Sequence, residues 1–449
     1  MKSGYYIYNN EKYLFELEDD LMTVTEENKI NIKKFLNMIN GNYEKEESIQ
    51  ILRVKMFPNW NDAIIFHREN LEHIGGIYEF KIIGLIEFVN KEERADGINF
   101  FSKELDYMYD LSKALDKFTY KTNGEVDISY KSFEETNTIK KLLKIDGKDI
   151  KYSFSINRNF SSNLPNNYIQ TETLLRYEYD NLSENYVLIY DLANITHRFI
   201  SYLYYRQNTN FDRIVLLKKE NEKYFKVAEM TMFFKDCVND KKYLQKYHIN
   251  YDNIKDIDDK ILQAIIDNQL FIRHIPNNEK NRNIITPQSF VMVSSAFEWE
   301  FNQLFPEGVK HSQKKEKDIE EIKNRLSEAL SEKKYEKFLK EIIKNIGKDN
   351  LESKLIFANK ELKNESEIFL KYLLELNNIE NTNSIFTELQ KLRNDFAHGN
   401  LEINLELKGL VGMIYLERMV YIMQLKRLGL DEENIKIAIN DLFGLGLEV

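Results

Sequence analysis

The hydrophobic period of the chain changes near residue 287. Before that point apolar and polar residues alternate in short runs. After it, apolar residues recur every three or four positions. Alternation rich in β-branched and aromatic residues predicts strands over 4–8, 13–18, 49–57, 63–66 and 78–89. Helical spacing interrupts this pattern at 26–39 and again at 100–118. Strand patterns return at 126–130, 141–145 and 150–156, with Asp146-Gly147 as a hairpin signal between the last two. Strands over 168–179, 213–218 and 224–234 flank a helix over 188–205. Residues 276–287 are polar and rich in asparagine, which predicts a boundary. Thr286-Pro287 then reads as a helix cap followed by proline at the first helical position. Helices follow over 288–304, 317–346, 351–376 (broken near Asn364), 405–428 and 432–442. The stretch 405–428 is apolar on nearly every side, so it belongs at the centre of a bundle or in a subunit interface. The expected fold is α+β: a β-rich, sandwich-like N-terminal domain over 1–275, a linker over 276–286, and an all-α bundle over 287–449.

Composition narrows the class. The chain has 449 residues, 43% of them hydrophobic, with only 5 prolines and 16 glycines. That is enough apolar content for two or three cores and too little Pro and Gly for long disordered linkers. Its start is no signal peptide, and no run of about 18 apolar residues exists, so a cytoplasmic protein without membrane contact is expected. A single cysteine, Cys237, excludes an internal disulfide and a Cys-based zinc site. The formal net charge of −10 repels phosphate in bulk, so any nucleic-acid contact must use local basic groups.

The candidate chemistry sits in Leu392-Arg393-Asn394-Asp395-Phe396-Ala397-His398-Gly399. Ile385, Leu389, Leu392 and Phe396 form one apolar stripe of a helix, and Gly399-Asn400 supplies a stop. Asn394 and His398 lie one turn apart on a face roughly opposite that stripe, and Arg393 flanks it. Thr387, Gln390 and Ala397 on the same face are uncharged, which predicts packing against another element, such as the same helix of a second subunit. A guanidinium grips a phosphate with parallel hydrogen bonds, and an imidazole moves protons near neutral pH. In RNA the 2′-hydroxyl is a built-in nucleophile, so these groups suffice for phosphodiester cleavage without a metal. The spacing alone is weak evidence. Arg68 and His73 repeat it between strand-like runs, where a structural role is expected. A structural account also exists for the second copy: an Arg paired with an acidic neighbour and a His at a helix end. Glu298 and Glu300 lie in the helical stretch 288–304; one of them is a candidate to orient Arg393, the other account being a carboxylate at a rim or on the surface.

Leu392 to Gly399 resembles the signature of HEPN ribonucleases, helical domains that pair so that two motifs form one RNA-cutting site. The resemblance implies an HEPN bundle, catalytic roles for Arg393 and His398, an assisting Asn394, and homodimerisation through the C-terminal helical domain. A β-rich region ahead of such a domain resembles the architecture of ApeA-type anti-phage defence proteins. That likeness implies a sensing N-terminal domain, an unidentified phage-derived trigger, and tRNA or another structured host RNA as the substrate. No cofactor is implied. The alternative is a non-catalytic HEPN module that binds RNA or dimerises. CRISPR-associated HEPN nucleases that sense cyclic oligoadenylate fit less well, because βα alternation is weak here.

Elsewhere the chemistry is sparse. His67, His73, His197, His248 and His274 have no ligand spacing, so structural roles are expected. There is no Gly-rich phosphate loop and no G-x-S-x-G elbow. Asp252, Asp256, Asp258 and Asp259 lack the offsets of a calcium loop and read as a solvated helix start. Lys314, Lys315, Lys333, Lys334 and Lys337 are the best local basic candidates for RNA, but they alternate with Glu as a solvated face would.

Overall fold

A computed structural model describes residues 1–8, 11–25, 49–74, 77–122, 124, 126–160, 169–180, 182, 185–221, 223–234, 245–310, 313–328, 337, 340, 342–343, 349–398 and 405–448. The expected helix over 26–39, Cys237, Lys333 and Lys334 lie outside them. The chain divides into two compact units, Met1–Asp267 and Asn268–Val449.

The first unit carries strands β1 (Lys2–Tyr8), β2 (Glu11–Glu18), β3 (Leu21–Thr25), β4 (Gln50–Met56), β5 (Asn61–Ile74), β6 (Ile77–Phe88) and β7 (Gly97–Phe101). It continues with β8 (Leu115–Tyr120), β9 (Val126–Tyr130), β10 (Lys141–Ile145), β11 (Lys148–Phe160), β12 (Ile169–Glu178), β13 (Arg213–Glu220) and β14 (Lys223–Met232). Twelve of these form one antiparallel sheet in the order β10-β11-β12-β7-β13-β14-β6-β3-β2-β1-β4-β5. Strand β5 also pairs with β6, so the last six strands close into a barrel. In place of the expected sandwich-like arrangement, β8 and β9 form a separate two-stranded sheet, and the large sheet curls on itself. Strand β6 causes this. Its first half, Ile77 to Lys81, pairs with β3 inside the barrel. Its second half, Gly84 to Phe88, pairs with β14 of the open half. At Gly84 a Cβ would stand 3.3 Å from both Met232 Sδ and Phe66 Cδ2, so the crossover is tight.

The barrel interior follows from strict alternation. Phe15 and Leu17, Met22 and Val24, Val54 and Met56, Ala63 and Ile65, and Phe80 and Ile82 all point inward and are buried. A small barrel filled this way is a core, not a channel. Gly4 leaves room for the Lys55 carbonyl of the neighbouring strand, which a Cβ would strike.

The open half buries one face against α2 (Tyr186–Tyr204), reached by α1 (Lys103–Tyr109) earlier in the chain. Phe154 lies 6.3 Å from Phe199, and the Thr196 hydroxyl donates to Tyr177 Oη at 3.1 Å. Asp146 and Gly147 take φ of 48° and 76° in the β10–β11 turn, as the hairpin signal predicts. The helix expected over 100–118 is a correction. Lys103–Tyr109 is α-helical, capped by Ser102 and ended by Asp110 at φ 60°, and Leu111–Ala114 forms one 3-10 turn. The flanking segments join sheets instead, since β7 is buried along its whole length in the sheet centre. Two short helices follow, α3 (Tyr251–Ile254) and α4 (Asp258–Ile266). Asp258 is not solvated as expected: it is 1% exposed, ion-paired with Lys141, and accepts from Tyr152 Oη at 2.9 Å. Burial and this carboxylate push the Tyr152 hydroxyl far up.

The second unit is helical: α5 (Pro287–Leu304), α6 (Gln313–Glu328), α7 (Leu351–Glu361), α8 (Lys363–Leu376), α9 (Thr382–Ala397), α10 (Leu407–Leu428) and α11 (Glu432–Phe443). Thr286 and Ser289 form a reciprocal capping box before α5. The break expected near Asn364 falls at Leu362. Helix α10 is central, packed by α5, α9, α8 and α11. The expected boundary at 275 and linker over 276–286 shift: the units divide after Asp267. Residues 268–286 pack on the bundle. Phe271 N donates to Glu300 at 3.2 Å, Gln424 donates to the Phe271 carbonyl at 3.2 Å, and Arg282 bonds the Leu442 carbonyl. In helix α6, Ile322 on the apolar stripe is 47% exposed. Among the described residues no helix is long and apolar enough to cross a membrane.

Candidate functional site

Helix α9 presents the motif. Its apolar stripe is buried as the spacing predicts: Ile385, Leu389 and Leu392 are at most 1% exposed and Phe396 is 6% exposed. Two glycines of α10 let the helices approach. A Cβ at Gly409 would stand 2.7 Å from Leu392 Cδ1, and one at Gly412 would stand 2.8 Å from both Ile385 Cγ2 and Leu389 Cγ. Phe396 also meets Phe290 of α5 edge to face at 5.4 Å. This packing fixes which face of α9 points out.

Arg393, Asn394 and His398 are all exposed. Asn394 and His398 share the last turn, and the His398 backbone N–H donates to the Asn394 carbonyl at 3.0 Å. His398 itself is the C-cap, with φ −89° and ψ 7°. The expected stop at Gly399-Asn400 lies outside the described residues. Arg393 precedes His398 by five positions, about 140° around a helix and about 7.5 Å along it. One helix therefore does not stack the two side chains on each other.

Each polar group is oriented by neighbours. Glu298 of α5 meets Arg393 Nε at 3.4 Å, with side chains 30% and 43% exposed. The contact uses Nε and leaves the Nη donors for an anion. Of the two carboxylates proposed to orient Arg393, Glu298 touches it and Glu300 does not. Glu300 is fully buried, accepts from Gln424 at 2.8 Å and pairs with Arg427 at 3.1 Å. Burial pushes its carboxyl up despite that guanidinium.

Asn394 Oδ1 accepts from Gln390 Nε2 at 2.9 Å, and Gln390 Oε1 accepts from the Glu352 backbone N–H at 3.4 Å. The Thr387 hydroxyl donates to Glu352 at 2.6 Å. Thr387 and Gln390 thus pack against α7 of the same chain, which accounts for the uncharged face without a second subunit there. With its oxygen engaged, Asn394 has its amide N–H groups to offer. Gln390 and Glu352 were not legible as supports, although Gln390 and Asn394 stand at the i, i+4 spacing that permits such a bond.

The other copy of the spacing, Arg68 to His73, lies within strand β5, beside a register shift between His67 and Leu71. His197 stacks on Phe234 at 3.9 Å, His248 stacks on Tyr204 at 5.1 Å, and His274 is buried against Tyr421. Burial pushes each of the three down to about 4, as structural histidines require. Of the basic candidates, Lys314 and Lys315 lie in α6 and Lys337 is exposed. Among the described residues no group of three or more His, Cys, Asp or Glu is placed to hold a metal ion. No protein-family model, curated protein or solved structure matches the chain.

Proposed function

We propose that the protein is a metal-independent HEPN endoribonuclease acting on tRNA or another structured host RNA in anti-phage defence. The observation that carries this reading is the joint exposure of Arg393, Asn394 and His398 at the end of a helix whose opposite stripe is fully packed. In the proposed reaction the 2′-hydroxyl attacks the adjacent phosphorus in line. The O2′–P bond forms and the P–O5′ bond breaks, leaving a 2′,3′-cyclic phosphate and a 5′-hydroxyl. One imidazole takes the 2′ proton, and a protonated imidazole from a second copy gives one to the departing oxygen. Arg393 stabilises the charge on the phosphorane, and the Asn394 amide hydrogen-bonds a phosphate oxygen. The angular offset of Arg393 from His398 favours a site shared by two copies, hence a homodimer through the helical unit. The N-terminal unit would sense a phage-derived trigger, and the protein would act in the cytoplasm.

A second reading is a non-catalytic HEPN module that binds RNA or dimerises. The Arg393–Glu298 pair and the place of His398 at the helix end favour it, since neither role needs chemistry. Arg393→Ala and His398→Ala separate the two. Each is expected to abolish cleavage of pooled tRNA while circular dichroism and oligomer size stay unchanged. Wild-type cleavage by either variant rejects the nuclease assignment.

A further inference from the structure

The open half of the N-terminal sheet has a second face, turned away from α2. Cross-strand pairing places Ser153 (β11), Arg176 (β12), Asn99 (β7) and Val215 (β13) in one row on it. Ser155 lies one row along. Arg176 is held rigidly. Its Nε donates to Asn99 Oδ1 at 2.8 Å, and its guanidinium lies 4.5 Å from the Tyr224 ring and 5.9 Å from the Phe133 ring. Asn99, Ser153 and Ser155 are buried, at 6%, 7% and 2% exposure.

The two carboxylates of β12 on this face are each engaged by another cation. Glu178, two residues along the strand, is bound by Lys140 at 2.7 Å. Glu172 is bound by Arg213 at 2.7 Å and by Asn157 at 3.0 Å. Among the described residues no carboxylate forms an ion pair with Arg176. Desolvation outweighs the through-space pull of Tyr224 and Glu178 and moves the guanidinium down from its ordinary range. The Tyr224 ring lies against the guanidinium and Asn99 takes its Nε. With Nε engaged, the Nη nitrogens are the donors left to an acceptor, and their edge matches two oxygens of one anion. Asn99 Nδ2 and the serine hydroxyls add neutral donors in adjoining positions.

We infer that Arg176, with Asn99 and Ser153, forms an oxyanion-binding site that takes one phosphate or carboxylate group of a ligand of the N-terminal unit. The site stands on this unit alone and does not depend on the nuclease reading.

The test uses the full chain and two probes, inorganic phosphate and acetate, each titrated at constant ionic strength against chloride so that general screening cancels. Unfolding temperature is followed, since a ligand of the folded state raises it saturably. Arg176→Gln is the main variant. Arg176→Lys is the second, keeping the charge and losing the fork, and it carries the test if the Gln variant does not fold. A saturable rise with phosphate, lost in Arg176→Gln and weakened about ten- to hundredfold in Arg176→Lys, supports the site with phosphate as its group. The same pattern with acetate supports it with carboxylate. No saturable rise with either probe, or an equal rise in wild type and variants, overturns it.

Discussion

Gly412→Ala tests how α9 is held against α10. The added methyl would stand 2.8 Å from Ile385 Cγ2, 2.8 Å from Leu389 Cγ and 2.9 Å from Leu389 Cδ2. All three are closer than real carbon contacts. Leu389 Cγ is a branch point, and Ile385 is β-branched on a helix, so neither can turn aside cheaply. Overpacking of this kind costs about 1–3 kcal/mol, and this site belongs in the upper part of that range. Replacing a helical Gly by Ala returns about 1 kcal/mol. The net loss is about 1–2 kcal/mol, or about 2–8 °C in a unit of this size. Gly409→Ala is the control. There one terminal methyl, Leu392 Cδ1, is close at 2.7 Å, with the next atoms at 3.8 and 3.9 Å. That methyl can rotate away, so strain and helix propensity nearly cancel. Denaturant unfolding followed by circular dichroism decides the order. If Gly412→Ala is as stable as Gly409→Ala, the helices do not approach as described and the placement of Arg393 and Asn394 loses its basis.

Arg418 of α10 is 4% exposed, and its Nε and Nη1 have no hydrogen-bond partner among the described residues. Burial pulls it down to about 10. Arg418→Met should therefore be neutral or stabilising by up to about 4 kcal/mol, and a loss above about 1 kcal/mol in the denaturant midpoint would refute that. His197, His248 and His274 stay neutral in the fold down to about pH 4, while the unfolded chain takes up protons from about 6.5. Their contribution to stability is full above 6.5 and lost as pH falls to about 4. Glu104, pushed up to about 7 by burial, acts oppositely: its contribution is full below 4.5 and fades as pH rises through 7. Unfolding of His274→Phe across this range should show a shallower loss than wild type; an identical slope contradicts the assignment. Under the nuclease reading, Glu298→Gln should slow tRNA cleavage by about fivefold or less, because a half-exposed pair is worth about 1 kcal/mol at most. A loss as deep as that of Arg393→Ala would contradict a merely orienting role.

The strands were largely legible because inward residues recur at every second position, as in Phe15 and Leu17 or Val54 and Met56. Their closure into a barrel was not, because it depends on β5 meeting β6 and on β6 changing partners near Gly84, which no local pattern records. The over-long helix at 100–118 arose from real helical spacing at Phe101, Leu105 and Met108. Pairing of Phe100 and Phe101 with β12 and β13 overrides it. Asparagines hid the docking of residues 268–286, whose anchors are backbone groups at Gln269 and Phe271 and the side chain of Arg282. At the site, the buried stripe of α9 predicted the outward face correctly. Its supports were only half visible. Glu298 was one of two candidates, while Gly412 matters only once the facing helix is known.

The proposed role of the exposed Arg393, Asn394 and His398 is transesterification on RNA. The most direct measurement is the chemistry of the cut ends when purified protein acts on pooled tRNA in excess EDTA. Wild type is expected to leave 2′,3′-cyclic phosphate and 5′-hydroxyl termini, and His398→Ala to leave none. Cuts that leave 3′-hydroxyl and 5′-phosphate ends, or cleavage that vanishes with the chelator, would contradict it.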